Sequence, residues 1–104
     1  MSADNRAKLL HEAIEITTND RNTSYGDPED NFRTIADYWM IYLRSRGLRV
    51  GLEPYDVAAM MDLVKTARLA VSPSKRDHWL DKAGYAACGW DCVAPNIGLT
   101  SDNF

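Results

Sequence analysis

Three prolines set the frame of this chain. Pro28 follows Asp27, Pro54 follows Glu53 and Pro73 follows Ser72. A proline breaks a helix interior but suits its first turn, where the backbone N–H has no partner in any case. Between these points apolar residues recur at spacings of three and four. Phe32, Ile35, Ala36, Trp39, Met40 and Leu43 form one stripe. Val57, Met60, Met61, Val64, Ala67 and Val71 form a second, and Trp79, Leu80, Ala83, Ala86, Ala87 and Trp90 a third. Upstream, Leu10, Ala13, Ile14 and Thr17 follow the same spacing. Strict alternation is confined to Leu48–Leu52, the one short strand candidate.

The ends agree with the stripes. Helix one starts after Ser2 or Asp4, and Thr17–Ser24 reads as a polar turn-forming connector. Asp27 is an N-cap candidate, and Glu29 and Asp30 add negative charge to the next first turn. Arg44, Arg46 and Gly47 suit a helix end. Ser74 with Asp77 approximates a capping box, and Pro95 is read as a stop. The pattern predicts helices over about 5–18, 28–46, 54–71 and 75–93. Short connectors make this an all-α, small four-helix antiparallel bundle-like domain over residues 1–104, with 95–104 a flexible or partner-docked tail.

Composition narrows the function classes. An apolar fraction of 45% is enough to fold. The formal charge of -3 gives no general attraction to nucleic acid or to an anionic membrane, although Arg44, Arg46 and Arg49 form a local basic cluster. Cys88 and Cys92 lie four apart on one helix face; with no second pair they read as reduced thiols of a cytosolic protein. The N-terminus has no apolar signal-peptide core, and no apolar run is long enough to span a membrane. Ala83-Gly84 with Ala87-Cys88 is a small-residue seam open to close approach by a helix or a ligand. With three Trp and five Tyr to cover as well, the chain is expected to form a homodimer or a larger closed assembly.

Several ionisable clusters carry chemistry. Lys65 and Arg68, at i and i+3, can present two cations to one phosphate or carboxylate; equally, they can pair with Asp77, Asp81 or Asp62. Asp77, Asp81 and Tyr85 share roughly one helix face, where the carboxylates can hold a hard cation or pair with Lys82 or Arg76. Tyr25-Gly26-Asp27-Pro28 opens a helix with N–H groups exposed and an aromatic ring for stacking on a base, or is simply a capped helix start. Glu12 with Glu15, and Glu53 with Asp56, are acid pairs of the kind that build a magnesium site, or ordinary surface and capping acids. His11 and His78 read as surface or packing residues, and Trp39, Trp79 and Trp90 as core.

Ser24-Tyr-Gly-Asp-Pro with Asn31-Phe32, Asp56-Val57-Ala58 with Met60-Met61, Lys65 with Ala67-Arg68, then Asp77-His-Trp-Leu-Asp and Ala83-Gly-Tyr-Ala-Ala, together resemble a family of small tailed-bacteriophage proteins of uncharacterised function. The resemblance covers roughly residues 7–90 and implies expression in a host bacterial cytoplasm. A more distant similarity is to the all-α nucleoside triphosphate pyrophosphohydrolases of the MazG type. It would make Glu12, Glu15, Glu53 and Asp56 the ligands of Mg²⁺. The chain departs from that pattern in lacking the extra glutamate of E-E-x-x-E and in the long separation of its two acid pairs.

The expected function is a phage protein that binds a phosphorylated small molecule, a nucleotide first. Its ligand residues would be Tyr25, Lys65, Arg68, Asp77, Asp81 and Tyr85. The alternatives are the Mg²⁺-dependent pyrophosphohydrolase and a non-enzymatic protein that docks on a host protein to inhibit it. An enzyme must cluster acids, a binder needs cations in one pocket, and an interaction protein needs an exposed apolar patch.

Overall fold

A computed structural model describes residues 2–20 and 27–97. Tyr25 and the 98–104 part of the expected tail lie outside the described residues. The fold is all-α: α1 (Ala3–Glu15), α2 (Pro28–Ser45), α3 (Pro54–Val71) and α4 (Arg76–Ile97). No strand occurs among the described residues, so Leu48–Leu52 is irregular connector.

The helix ends show how local chemistry sets the boundaries. Ser2 caps α1, its Oγ accepting from Asn5 N at 3.3 Å. α1 does not stop at Glu15 but widens into a π-helical turn, Ile16–Asp20. There Thr17 Oγ1 donates to Ala13 O at 2.7 Å and Thr18 Oγ1 to Ile14 O at 2.6 Å, side-chain bonds made back to the preceding turn. Asp27 occupies the N-cap position of α2 but makes no side-chain cap bond there. α2 ends in a Schellman motif: Gly47 has φ +83°, its N–H donates to Arg44 O at 2.9 Å, and Leu48 N donates to Leu43 O at 2.9 Å. The Ser74–Asp77 capping box is replaced by a start at Arg76, with His78 N donating to Lys75 O at 3.1 Å. Pro95 does not stop α4, which runs on to Ile97.

α3 and α4 form an antiparallel hairpin. Lys65 pairs with Asp81 and Asp62 with Lys82, a register in which residue number rises on one helix as it falls on the other. Gly89 sets the distance between them: a Cβ built on it would lie 3.0 Å from Ala58 Cβ. The close-packed glycine is therefore Gly89 and not Gly84, whose added Cβ would meet Thr17 Cγ2 at an ordinary 3.5 Å. α2 packs on this hairpin, and the core is the cluster Phe32, Ala36, Val57, Ala58, Cys88 and Cys92. The α2–α3 connector folds back along α2, with Leu52 N donating to Met40 Sδ and Arg33 bonding Leu52 O and Glu53. α1 packs on α4 and on its own π-turn, not on α2 or α3.

The expected stripes are only partly inward. α2 buries Phe32 and Ala36 and half-buries Trp39. On α3 the first turn is buried through Val57 and Ala58, but Met60 and Val64 are 40% exposed and Val71 is 85% exposed. The reason is coverage: α2 reaches only the first turns of α3, and α4 takes one side. On α4 Leu80 is buried, whereas Trp79 and Trp90, read as core, are half exposed. Trp79 instead clamps the α3–α4 turn, with Nε1 donating to Pro73 O at 2.9 Å. Of the α1 stripe Ala13 is buried, and Leu10 and Ile14 stay exposed. No described helix is long and apolar enough to cross a membrane.

Candidate functional site

Lys65 Nζ lies 2.7 Å from Asp81 Oδ2, with side chains only 15% and 35% exposed. One helical turn away Lys82 Nζ lies 2.9 Å from Asp62 Oδ1 and also bonds Thr66 Oγ1. These two pairs cross-link α3 to α4 and satisfy all four charges. Lys65 is therefore ion-paired across the hairpin, unlike Arg68.

Arg68 is exposed, against the partial burial that its apolar neighbours in sequence suggest, and pairs with neither Asp77 nor Asp81. It opens instead onto a groove of about 560 Å³ at the α3–α4 turn, lined by Val64, Ala67, Arg68, Val71, Ser72, Lys75 and His78. Neither Arg68 nor Lys75 is in an ion pair among the described residues. His78 is buried, and its Nδ1 has no hydrogen-bond partner. The groove thus combines an apolar wall, two uncompensated cations, a hydroxyl and part of the His78 ring, whose unsatisfied Nδ1 is itself buried. Ser72, Lys75 and His78 were not evident as ligands in the sequence. The signal was the turn itself, since a hairpin closed by Ser72-Pro73-Ser74-Lys75 brings the start of α4 beside Arg68.

Asp81 and Tyr85 line a different cleft. It holds about 230 Å³ between the π-turn and α4, with Ile16, Thr17, Gly84 and Cys88 as its other walls. Tyr85 is half-buried, its ring centroid 6.4 Å from that of Phe32 at 36°. Its ring packs against the core and also lines this cleft. Asp77, the third residue expected on this face, is exposed in the first turn of α4 and lines neither space.

The four acids expected around Mg²⁺ are not brought together. Glu12 pairs with Arg76 at 2.6 Å, and Glu15 accepts from Asn19 Nδ2 at 2.8 Å. Glu53 pairs with Arg33 at 2.6 Å, a bond that pushes the Arg33 pKa up, and Asp56 Oδ2 caps α3 by accepting from Glu53 N at 2.8 Å. The two acid pairs sit on helices that do not touch, and no group of three or more metal-ligating side chains occurs among the described residues.

The cysteines are structural. Both are buried and neither is in a disulfide. Burial pushes the Cys92 thiol up to about 11, and the nearby carboxylates of Glu29 and Asp91 push the same way. A thiol held protonated is a poor nucleophile.

Known proteins bear on this geometry as follows. The chain is 38% identical over 80 residues to the Gene 55 protein of Mycobacterium phage D29, covering 77% of this chain and 50% of that protein. It is 40% identical over 78 residues to the Gene 55 protein of Mycobacterium phage L5, covering 75% and 47% respectively. The chain thus spans about half the length of the curated relatives it matches. No solved structure matches it. The expected kinship with small phage proteins is borne out, and the match to a family model over residues 8–93 runs from within α1 to within α4. This chain belongs to the family described as Domain of unknown function (DUF6378).

Proposed function

We propose that this protein binds a phosphorylated small molecule, with a nucleotide as the first candidate, in the groove at the α3–α4 turn. One observation carries the reading: Arg68 and Lys75, without ion-pair partners among the described residues, flank a groove that is also lined by Ser72 and His78. A phosphate there gains a planar fork from Arg68 and a point charge from Lys75. Ser72 Oγ and an imidazole N–H of His78 add neutral donors. Val64, Ala67 and Val71 form the wall for the apolar part of the ligand. Inside an infected bacterium such a protein would manage nucleotide pools or withdraw a phosphorylated defence signal of the host.

The test is thermal shift and calorimetry with inorganic phosphate, pyrophosphate and a nucleotide panel. A ligand that binds the folded chain raises its melting temperature. Arg68→Ala with Lys75→Ala is expected to abolish that shift while leaving the unliganded melting temperature near wild type. A wild-type protein with no response to any phosphate compound overturns the reading.

A second reading, docking on a host protein, is favoured by Tyr38, Ile41 and Tyr42, which share one face of α2 and are 62–68% exposed. The pyrophosphohydrolase reading would need Glu12, Glu15, Glu53 and Asp56 around one cation, and their placement on separate helices lends it no support.

A further inference from the structure

We infer that the outer face of α3 is a two-fold interface between two copies of this chain. This goes beyond ligand binding and does not depend on it. Met60, Leu63, Val64, Ala67 and Val71 recur at helical spacing and are all exposed, Leu63 at 63% and Val71 at 85%. Together they make an apolar stripe roughly 16 Å long at ~1.5 Å per residue. The acid and base within this stretch, Asp62 and Lys65, turn the other way, to Lys82 and Asp81 of α4. The stripe therefore presents no charge along its centre, and Arg68 stands at its margin. A helix with apolar residues on two opposite sides is the pattern of a buried helix, yet α2 and α4 cover only one side of this one.

The occupant that fits is a second α3. A two-fold axis between Leu63 and Val64 runs the two helices antiparallel. It sets Leu63 against the second copy's Val64 and the large Met60 against its small Ala67. Large against small is the complementarity that close helix packing needs. Charge is polarised in the same sense. Asp56 lies in the first turn of α3 and Arg68 in its last, so antiparallel pairing sets unlike charges and unlike dipole ends side by side, whereas parallel pairing would oppose like ones; Glu53 is already paired with Arg33. Such a contact is isologous and closes at two copies. It seats the stripe, so a second copy and the apolar part of a ligand compete for Val64, Ala67 and Val71, while Ser72, Lys75 and His78 lie beyond the end of the stripe.

Light scattering on the wild-type chain at micromolar concentration reads the outcome directly, with no ligand added. The expected mass is twice the 11.7 kDa of one chain. Leu63→Glu, at an exposed position, is expected to return the mass of a single chain with an unchanged helical circular dichroism spectrum. Mild oxidation of a Leu63→Cys variant is expected to give a covalent dimer, while Tyr42→Cys on the outer face of α2 gives none. A wild-type monomer overturns the proposal and leaves the stripe to a different protein. So does a dimer indifferent to Leu63→Glu, or equal cross-linking through Tyr42→Cys. Loss of phosphate binding with the dimer intact would count against the groove alone.

Discussion

Lys65 Nζ and Asp81 Oδ2 stand 2.7 Å apart across the α3–α4 hairpin, and that single pair divides the ionisable residues of this chain into two kinds. Lys65, Asp81, Lys82 and Asp62 spend their charge on each other. Arg68 and Lys75 do not.

The division predicts different mutational costs. Lys65→Met or Asp81→Ala strands a half-buried partner and is expected to cost roughly 1–3 kcal/mol. Arg68→Ala removes an exposed side chain outside any ion pair and should stay within about 0.5 kcal/mol. Urea denaturation followed by circular dichroism, at constant m-value, separates the two cases. Equal destabilisation by Lys65→Met and Arg68→Ala would contradict it.

His78 supplies a test in which stability and binding move in opposite directions. Its buried Nδ1 has no partner, and an unsatisfied buried polar atom costs roughly 1–3 kcal/mol. His78→Phe, of similar shape, is therefore expected to hold or raise the melting temperature. The same substitution removes a donor from the groove and should weaken phosphate binding. A variant that is destabilised yet binds phosphate as well as wild type would show that His78 serves packing alone.

Gly84 and Gly89 should respond oppositely to alanine. At Gly84 the new methyl meets only Thr17 Cγ2 at 3.5 Å, so the helix propensity of alanine is gained at little cost, about 0.5–1 kcal/mol. At Gly89 it meets Ala58 Cβ at 3.0 Å on a packed helix, and the two helices must part. The strain outweighs the propensity, for a net loss of roughly 1 kcal/mol. Thermal denaturation of the two variants decides it.

The Cys92 thiol sets an alkaline limit. Its pKa rises from 9.0 to about 11 on folding because burial penalises the thiolate. The unfolded chain therefore loses its proton first. Stability is fully present below about pH 9 and falls as pH rises toward 11, by roughly 2–3 kcal/mol in total. Cys92→Ala should flatten that part of the pH–stability curve while lowering stability at neutral pH by leaving a small cavity. A curve of unchanged slope in the variant would rule the mechanism out. Slow alkylation of both cysteines at neutral pH is expected for the same reason.

Local signals in the sequence were enough to determine the helices. Pro28 and Pro54 at first turns, Gly47 in the left-handed C′ position and stripes at helical spacing act over a few residues, and the four helices stand where those signals put them. The short turn from Ser72 to Lys75 likewise dictated that α3 and α4 form a hairpin. Which side of each helix is buried is another matter, since it depends on how far a neighbour reaches. α2 covers the first turns of α3 and no more, so Val57 is core while Val64 and Val71, equally apolar in sequence, face outward. Partner choice among charges is decided the same way. Lys65 and Arg68 are three residues apart and look alike in sequence, but the α3–α4 register hands Asp81 to Lys65 and leaves Arg68 to the groove. A salt bridge forms only within a few ångströms, and that distance is set by the packing of whole helices rather than by the residues next in the chain.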